Sequence, residues 1–396
     1  MHKIERLLQT LAPKGVEFRK LGEVCEILDN RRIPIAKNKR NPGIYPYYGA
    51  NGIQDYIDSY IFDGDFVLVG EDGSVINKDN TPVVNWASGK IWVNNHAHVL
   101  QTKNELKLKF LYFYLQTIDV SYCVAGTPPK INQENLKQIT IPIPPLEIQQ
   151  EIVKILDAFT ELNTELNTEL KARKKQYQYY QNMLLDFKDH SNHKDAKIKT
   201  YPKRLKTLLQ TLAPKGVEFR KLGEVCDFQK GKSITKKAVI FGKVPVISGG
   251  RQPAYYHNEA NRSGETIAIS SSGVYAGYVS YWDIPVFLAD SFSVSPKQKT
   301  LMPKYLFHYL TTQQDAIHAT KSTGGIPHVY SKDLQNFLIP IPPLEIQQEI
   351  VKILDQFLAL TTDLLAGIPA EIEARKKQYE YYREKLLTFK PLQNKA

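Results

Sequence analysis

The chain states its framework twice, and that duplication constrains its fold more than any other feature. Residues 7–25 (LLQTLAPKGVEFRKLGEVC) recur unchanged as 208–226. Residues 141–157 (IPIPPLEIQQEIVKILD) recur unchanged as 339–355. Residues 172–180 (ARKKQYQYY) return as 374–382 with Gln178 replaced by Glu380. The stretches between these blocks, about 27–138 and 228–336, share almost nothing. This is a tandem duplication with matched framework segments and two divergent inserts. A protein that keeps two scaffolds alike while its globular parts diverge is expected to read two different things at a fixed separation.

Both framework copies carry a long amphipathic stripe after a proline pair. In the first it runs through Ile148, Ile152, Ile155, Phe159, Leu162, Leu166 and Leu170, then Tyr177, Tyr180, Leu184 and Phe187. In the second it runs through Ile346, Ile350, Ile353, Phe357, Leu360 and Leu364, then Ile368, Ile372, Tyr379, Tyr382, Leu386 and Phe389. The spacing is heptad-like with extra four-residue steps. It predicts two long helices, each roughly 65 Å at about 1.5 Å per residue. The second is expected to kink or break near Gly367 and Pro369. Neither stripe is stable alone, so the helices should pair, and connectivity favours an antiparallel pair. The expected fold is therefore mixed α/β (α+β): two globular domains joined by antiparallel coiled-coil helices, with an internal pseudo-two-fold repeat. The expected divisions are 1–145, a first long helix at 146–188, a basic linker at 189–207, a second domain at 208–343, and a distal helix and tail at 344–396. Residues 160–170 read TEL-N-TEL-N-TEL. One such unit more or less would move the end domains by about 6 Å and turn them by about 40°, although a simple polar helical filler reads the same way.

The charge is placed as well as large. The net charge is +11, yet 146–188 and 344–390 each sum to −1, which leaves +13 for the inserts, N-terminus and linker. A basic surplus on the globular parts points to a polyanion. No apolar run approaches a membrane span, and the start, MHKIER, is charged rather than signal-like. Three cysteines make no disulfide framework; Cys25 and Cys226 are repeat equivalents expected to be small and buried. A reducing cytoplasm is the expected home.

Both inserts read as short strands and turns, with strands expected at 62–69, 90–93, 266–270 and 274–281. Helices are expected at 106–117 and 303–312. The loops between them supply candidates for contact with phosphates and base edges. In the first insert these are Arg31, Arg32, Lys37, Lys39, Arg40, Tyr48, Asn51 and Lys130. In the second they are Lys230, Lys232, Lys236, Lys237, Arg251, Lys321 and His328. For any one of them a plain solvated loop residue is the competing reading. No GxGxxG or Walker loop occurs. The proline pairs lack the Asn/Asp and aromatic neighbours with which an amino-methyltransferase holds its base. His96 and His98 form an HxH without convincing further metal ligands. The chain is expected to have no catalytic or metal site of its own.

With these residues in view, the chain resembles the specificity subunits of type I restriction-modification systems. The carriers are the repeated IPIPPLEIQQEIVKILD, the ARKKQYxYY segment, the VEFRKLGEVC before each insert and the TEL run. The resemblance covers essentially the whole chain. It implies a non-catalytic subunit that binds double-stranded DNA, each target-recognition domain reading one half of an asymmetric bipartite site. It also implies two methyltransferase subunits docked on the helices, and restriction-translocase subunits joining for cleavage. S-adenosylmethionine, ATP and Mg would belong to those partners. Two other readings stay open on sequence: a two-domain protein-interaction scaffold without DNA specificity, and the recognition subunit of a methyltransferase-only complex. The identical blocks would also permit recombination that exchanges inserts.

Overall fold

A computed structural model describes residues 2–73, 75–187, 201–297, 299–322, 325–362 and 367–392. The first repeat runs α1 (His2–Leu11), β1 (Glu17–Lys20), α2 (Leu21–Val24), β2 (Cys25–Ile27), β3 (Pro42–Gly49), β4 (Gly52–Ile57), β5 (Phe62–Gly70), β6 (Val84–Val93), β7 (Ala97–Thr102), α3 (Leu108–Leu115), α4 (Gln133–Gln138), β8 (Thr140–Ile143) and α5 (Leu146–Leu185). The second runs α6 (Lys203–Leu212), β9 (Glu218–Lys221), α7 (Leu222–Val225), β10 (Cys226–Lys230), β11 (Val244–Ile247), β12 (Tyr255–His257), β13 (Thr266–Ser270), β14 (Val279–Trp282), β15 (Phe287–Leu288), β16 (Ser291–Pro296), α8 (Pro303–Thr312), α9 (Gln314–Ala319), α10 (Ser331–Leu334), β17 (Leu338–Ile341), α11 (Leu344–Thr362) and α12 (Ile368–Leu387). The chain divides into two compact units, Met1–Asn167 with Glu371–Ala396, and Thr168–Ala370.

The identical blocks that bracket each insert are hydrogen-bonded to one another. β1 pairs antiparallel with β8, Phe18 opposite Pro142, and β9 pairs with β17, Phe219 opposite Pro340. Framework strand meets framework strand, and the insert hangs between them. In the first unit the insert forms one sheet in the order β2-β7-β5-β6-β3-β4, antiparallel except where β3 meets β6. The second unit has the same path in two pieces, β10-β16-β13-β14 and β12-β11-β15, with β11 parallel to β15. The long β6 of the first unit corresponds to β14 and β15 together. Pro285 lies between those two strands and removes a ladder donor there.

The strands expected at 62–69 and 266–270 are present, and 90–93 is the end of the longer β6. The expectation at 274–281 needs correction: Val274–Gly277 is a turn and only β14 is extended. Val and Tyr favour strands, but Gly277 holds φ +85, a left-handed value that closes the turn. The helix expected at 303–312 is α8, and that at 106–117 is the shorter α3. Of the linker expected at 189–207, residues 189–200 lie outside the described residues, and Lys203 already opens α6, the counterpart of α1.

Each core is completed by the tail of the other repeat. In the first unit Ile148, Ile152 and Leu156 of α5 share a core with Val67, Leu100, Phe110 and Leu111, and with Leu386 and Leu387 of α12. In the second, Ile346, Ile350 and Leu354 of α11 share a core with Ile267, Val294, Tyr305 and Leu310, and with Met183 and Leu184 of α5. Aromatic pairs mark both seams. Phe159 stacks on Tyr382 at 5.5 Å in the first unit, and its equivalent Phe357 stacks on Tyr180 at 5.1 Å in the second. The incoming tail lies antiparallel in each.

The seam itself differs in detail from the sequence reading. Leu156 and Leu354 are fully buried, while Ile155 and Ile353 are only partly so. Leu162, Leu166 and Leu170 are half-buried, and Leu360 is exposed at 37 %. Past Leu162 and Leu360 the stripe runs in four-residue steps, each advancing about 40° beyond a full turn, so it walks around the helix and away from one partner. Leu364 lies outside the described residues; α11 ends at Thr362 and α12 begins at Ile368, with a bend at Gly367.

Candidate nucleic-acid interface

The same backbone frame presents loops in both units. In the first, the segment after β5 is pinned to the segment before α4. Gly73 N–H donates to Pro129 O at 3.1 Å, Ile131 N–H to Glu71 O at 2.9 Å, and Glu71 N–H to His96 O at 2.9 Å. In the second, Gly273 N–H donates to Pro327 O at 3.0 Å, Val329 N–H to Ser271 O at 2.9 Å, and Ser271 N–H to Asp290 O at 3.0 Å. Asp72 bridges Lys130 in one as Ser272 bridges His328 in the other. The frame thus equates Glu71 with Ser271, Asp72 with Ser272, His96 with Asp290, and Lys130 with His328. Backbone is kept while side-chain chemistry changes at four positions.

In the first unit Glu71 and Lys130 of this set join Asp29, Arg32 and His98 in a charged cage. Glu71 accepts from Arg32 Nη1 at 2.6 Å and pairs with Lys130 Nζ at 2.9 Å. His98, fully buried, lies with Nδ1 2.6 Å from Asp29 Oδ2 and Nε2 2.8 Å from the Ile131 carbonyl. Gln133 and the Val99 N–H also donate to Asp29. Burial pushes the Asp29 carboxyl up, but the His98 hydrogen bond, the His98 and Arg32 charges and the Val99 N–H leave it below its ordinary 3.8. Glu71 is likewise raised by burial and brought below 4.5 by Arg32 and Lys130. Asp29, Glu71 and His98 have the ligand types of a cation site. Arg32, Lys130 and His98 Nδ1 already occupy those carboxylates, so the cage is a fixed ion-pair network that orients the loop bearing Lys130. This network was not foreseen, because its members are scattered from 29 to 133.

The cage draws Arg32 inward, where it also donates to the Ala97 carbonyl at 2.9 Å. Arg40 is held too, over the Tyr47 ring at 4.1 Å and 3.3 Å from Asp55. Tyr48 is buried, which raises its hydroxyl pKa, with Tyr56 adding to the rise. Arg31 is exposed, yet braced over Phe62 at 4.6 Å and on the Ile61 carbonyl. Lys37 and Lys39 stand exposed on a 3-10 turn, and Asn51 is exposed at the β3–β4 turn. In the second unit Lys230 and Lys232 are exposed at and just past the end of β10, and Lys236 and Lys237 on the equivalent 3-10 turn. The frame gathers Arg251, Lys321 and His328. Arg251 lies over Tyr275 at 4.9 Å, Lys321 Nζ reaches the Val274 carbonyl at 3.4 Å, and His328 stacks on Tyr330 at 6.0 Å.

Two further residues do structural work inside the identical blocks. Gln149 is fully buried; its amide donates to the Glu105 and Pro144 carbonyls and accepts from Lys107 N–H. Gln347 repeats this with Thr300, Pro342 and Met302. Each ties the start of a long helix to the segment before α3 or α8. A glutamine at the same place in both copies of LEIQQEI was the available signal.

Known proteins with these features fall in one group. The family described as type I restriction modification DNA specificity domain matches residues 13–195 and 214–374. A Haemophilus influenzae protein described as a type I restriction enzyme specificity subunit is 37% identical over 402 residues, covering 98% of each chain. The specificity subunit of an Escherichia coli type I restriction enzyme is 29% identical over 423 residues, covering 98% of this chain and 97% of its own. The crystal structure of the S subunit of a type I system from M. genitalium superposes with a TM-score of 0.66 at 20% identity, over 94% of this chain and 96% of that one. At that identity the likeness concerns the fold.

Proposed function

From the premise that this chain belongs to the type I restriction-modification DNA specificity family, we propose that it is the non-catalytic sequence-reading subunit of such a complex. Each unit reads one half of an asymmetric, bipartite double-stranded DNA site. The long helices set the spacer and dock methyltransferase subunits, two by the symmetry of the repeat, and restriction-translocase subunits join them. S-adenosylmethionine, ATP and Mg belong to those partners.

One observation carries the reading: a single backbone frame appears twice with different side chains. Glu71, Asp72, His96 and Lys130 in one copy correspond to Ser271, Ser272, Asp290 and His328 in the other. Catalytic machinery would keep its chemistry across a duplication, whereas readers of two unlike half-sites keep geometry and vary chemistry. The exposed lysines at 37, 39, 232, 236 and 237 supply phosphate contacts that hold register. The test is a genome-wide map of methylated adenines in the host with and without the gene. Loss of one asymmetric bipartite motif on deletion is expected; an unchanged map in an actively methylating host rejects the assignment.

A further inference from the structure

The loop between β10 and β11 holds two large apolar side chains out in solvent. Phe241 is 91% exposed and Ile240 63%. Their backbone is clamped. Ile240 N–H donates to Nδ1 of the buried His257 at 3.1 Å. At Gly242 an added Cβ would stand 2.3 Å from the His257 carbonyl oxygen, so the chain runs flush against β12. The next turn of chain is already strand, Val244 opposite His257. With both flanks fixed, the pair stays presented outward.

The surroundings say what such a pair meets. From 228 to 258 the sequence contains no Asp or Glu, and Lys230, Lys232, Lys236, Lys237, Lys243 and Arg251 all fall within it. An apolar tip on a segment whose own charges are all positive, with Glu259 the first acidic residue after it, complements a surface with anionic walls and apolar interior, which is a DNA groove with its base stack. Phe, Ile and Pro are the side chains that groove-binding proteins insert at base steps. The first unit makes a comparable close approach, with one exposed apolar side chain after the glycine rather than two before it. Gly43 makes the corresponding close approach, its added Cβ 2.3 Å from Ile57, and is flanked by Pro42 and by Ile44, itself well exposed.

We propose that Ile240–Phe241 is an apolar wedge that enters the DNA groove and specifies one or two base steps within the half-site read by the second unit. This rests on the DNA-reading assignment above and adds a mode of contact to it. The experiment uses the full chain assembled with its methyltransferase subunits and a duplex library with a randomised central segment, sequenced after selection by binding. Phe241→Ala is expected to flatten preference at one or two adjacent positions of one half-site and leave the other half intact. Affinity for the selected duplex should fall about tenfold to a hundredfold, the range of a lost base–aromatic contact. The dependence of affinity on salt should be unchanged, since no phosphate contact is removed. Phe241→Leu should retain part of the preference.

An unchanged motif and affinity for Phe241→Ala would overturn the wedge while leaving DNA reading intact. Normal binding preference with loss of methyltransferase subunits from the complex would overturn it in favour of a protein contact. If the wild-type complex selected no motif, the DNA-reading assignment itself would fail, a result distinguishable from both.

Discussion

Asp29 shows how one buried carboxylate fixes a loop a hundred residues away. Its folded pKa lies below 3.8, as that of Glu71 lies below 4.5. Their contribution is therefore full above those ordinary values and is lost as pH falls through the lower folded ones. Denaturant melts of the first unit should weaken steeply in acid below about pH 4. Asp29→Asn should cost about 3 kcal/mol at pH 7, because the Arg32 guanidinium loses a buried carboxylate partner, and should flatten that acid limb. Equal acid limbs for Asp29→Asn and wild type would contradict the cage. The exposed lysines should behave differently. Lys236→Ala with Lys237→Ala should leave stability unchanged, weaken binding to all duplexes alike and lower the salt slope by about 2.

At the scale of elements, the long helices were legible because their period is written over dozens of residues. β5, β13 and α8 were legible because their local composition agrees with their environment. The turn at 274–277 was not, since Val274 and Tyr275 have strand propensity and only the backbone twist at Gly277 opposes it. Nor was the burial of Leu156 and Leu354, which depends on a partner helix that enters from the far end of the chain. The inward draw on Arg32 had no local signal either, because Glu71 becomes its neighbour only when β5 is in the sheet. Gln149→Ala should cost about 2 kcal/mol by stranding the Lys107 N–H and the Glu105 and Pro144 carbonyls, read as a shift in the denaturant midpoint. Insertion of one four-residue unit after Asn167 should lengthen the spacer of the methylated motif by about one to two base pairs. Both half-sites should stay unchanged; an altered half-site would show that the helix does more than set distance.

At the scale of the molecule, the exchange of tails makes each unit depend on the other repeat. A chain ending at 366 lacks Tyr379, Tyr382, Leu386, Leu387 and Phe389, all part of or packed against the first core. Its first unit should lose amide-exchange protection around Ile148–Leu156 and α3, while peptides of the second unit keep theirs. Retained protection in the first unit would refute the exchange. Duplication and division were readable from the repeated blocks. The exchange follows from the antiparallel pairing that connectivity favours, since it sets the end of each long helix beside the start of the other; which tail residues enter each core, Met183 and Leu184 in one and Leu386 and Leu387 in the other, depends on the fold.

That exchange also sets a schedule for biosynthesis. The first unit needs residues 371–392, which are synthesised some 200 residues after its other residues end at Asn167. At about 5–20 residues per second, roughly 10–45 s of translation separate the two. Throughout that interval Ile148, Ile152 and Leu156 stand without their covering helix. A nascent chain of this design waits, apolar stripe uncovered, for its own distal helix, and any companion subunit or chaperone that arrives first finds that stripe open.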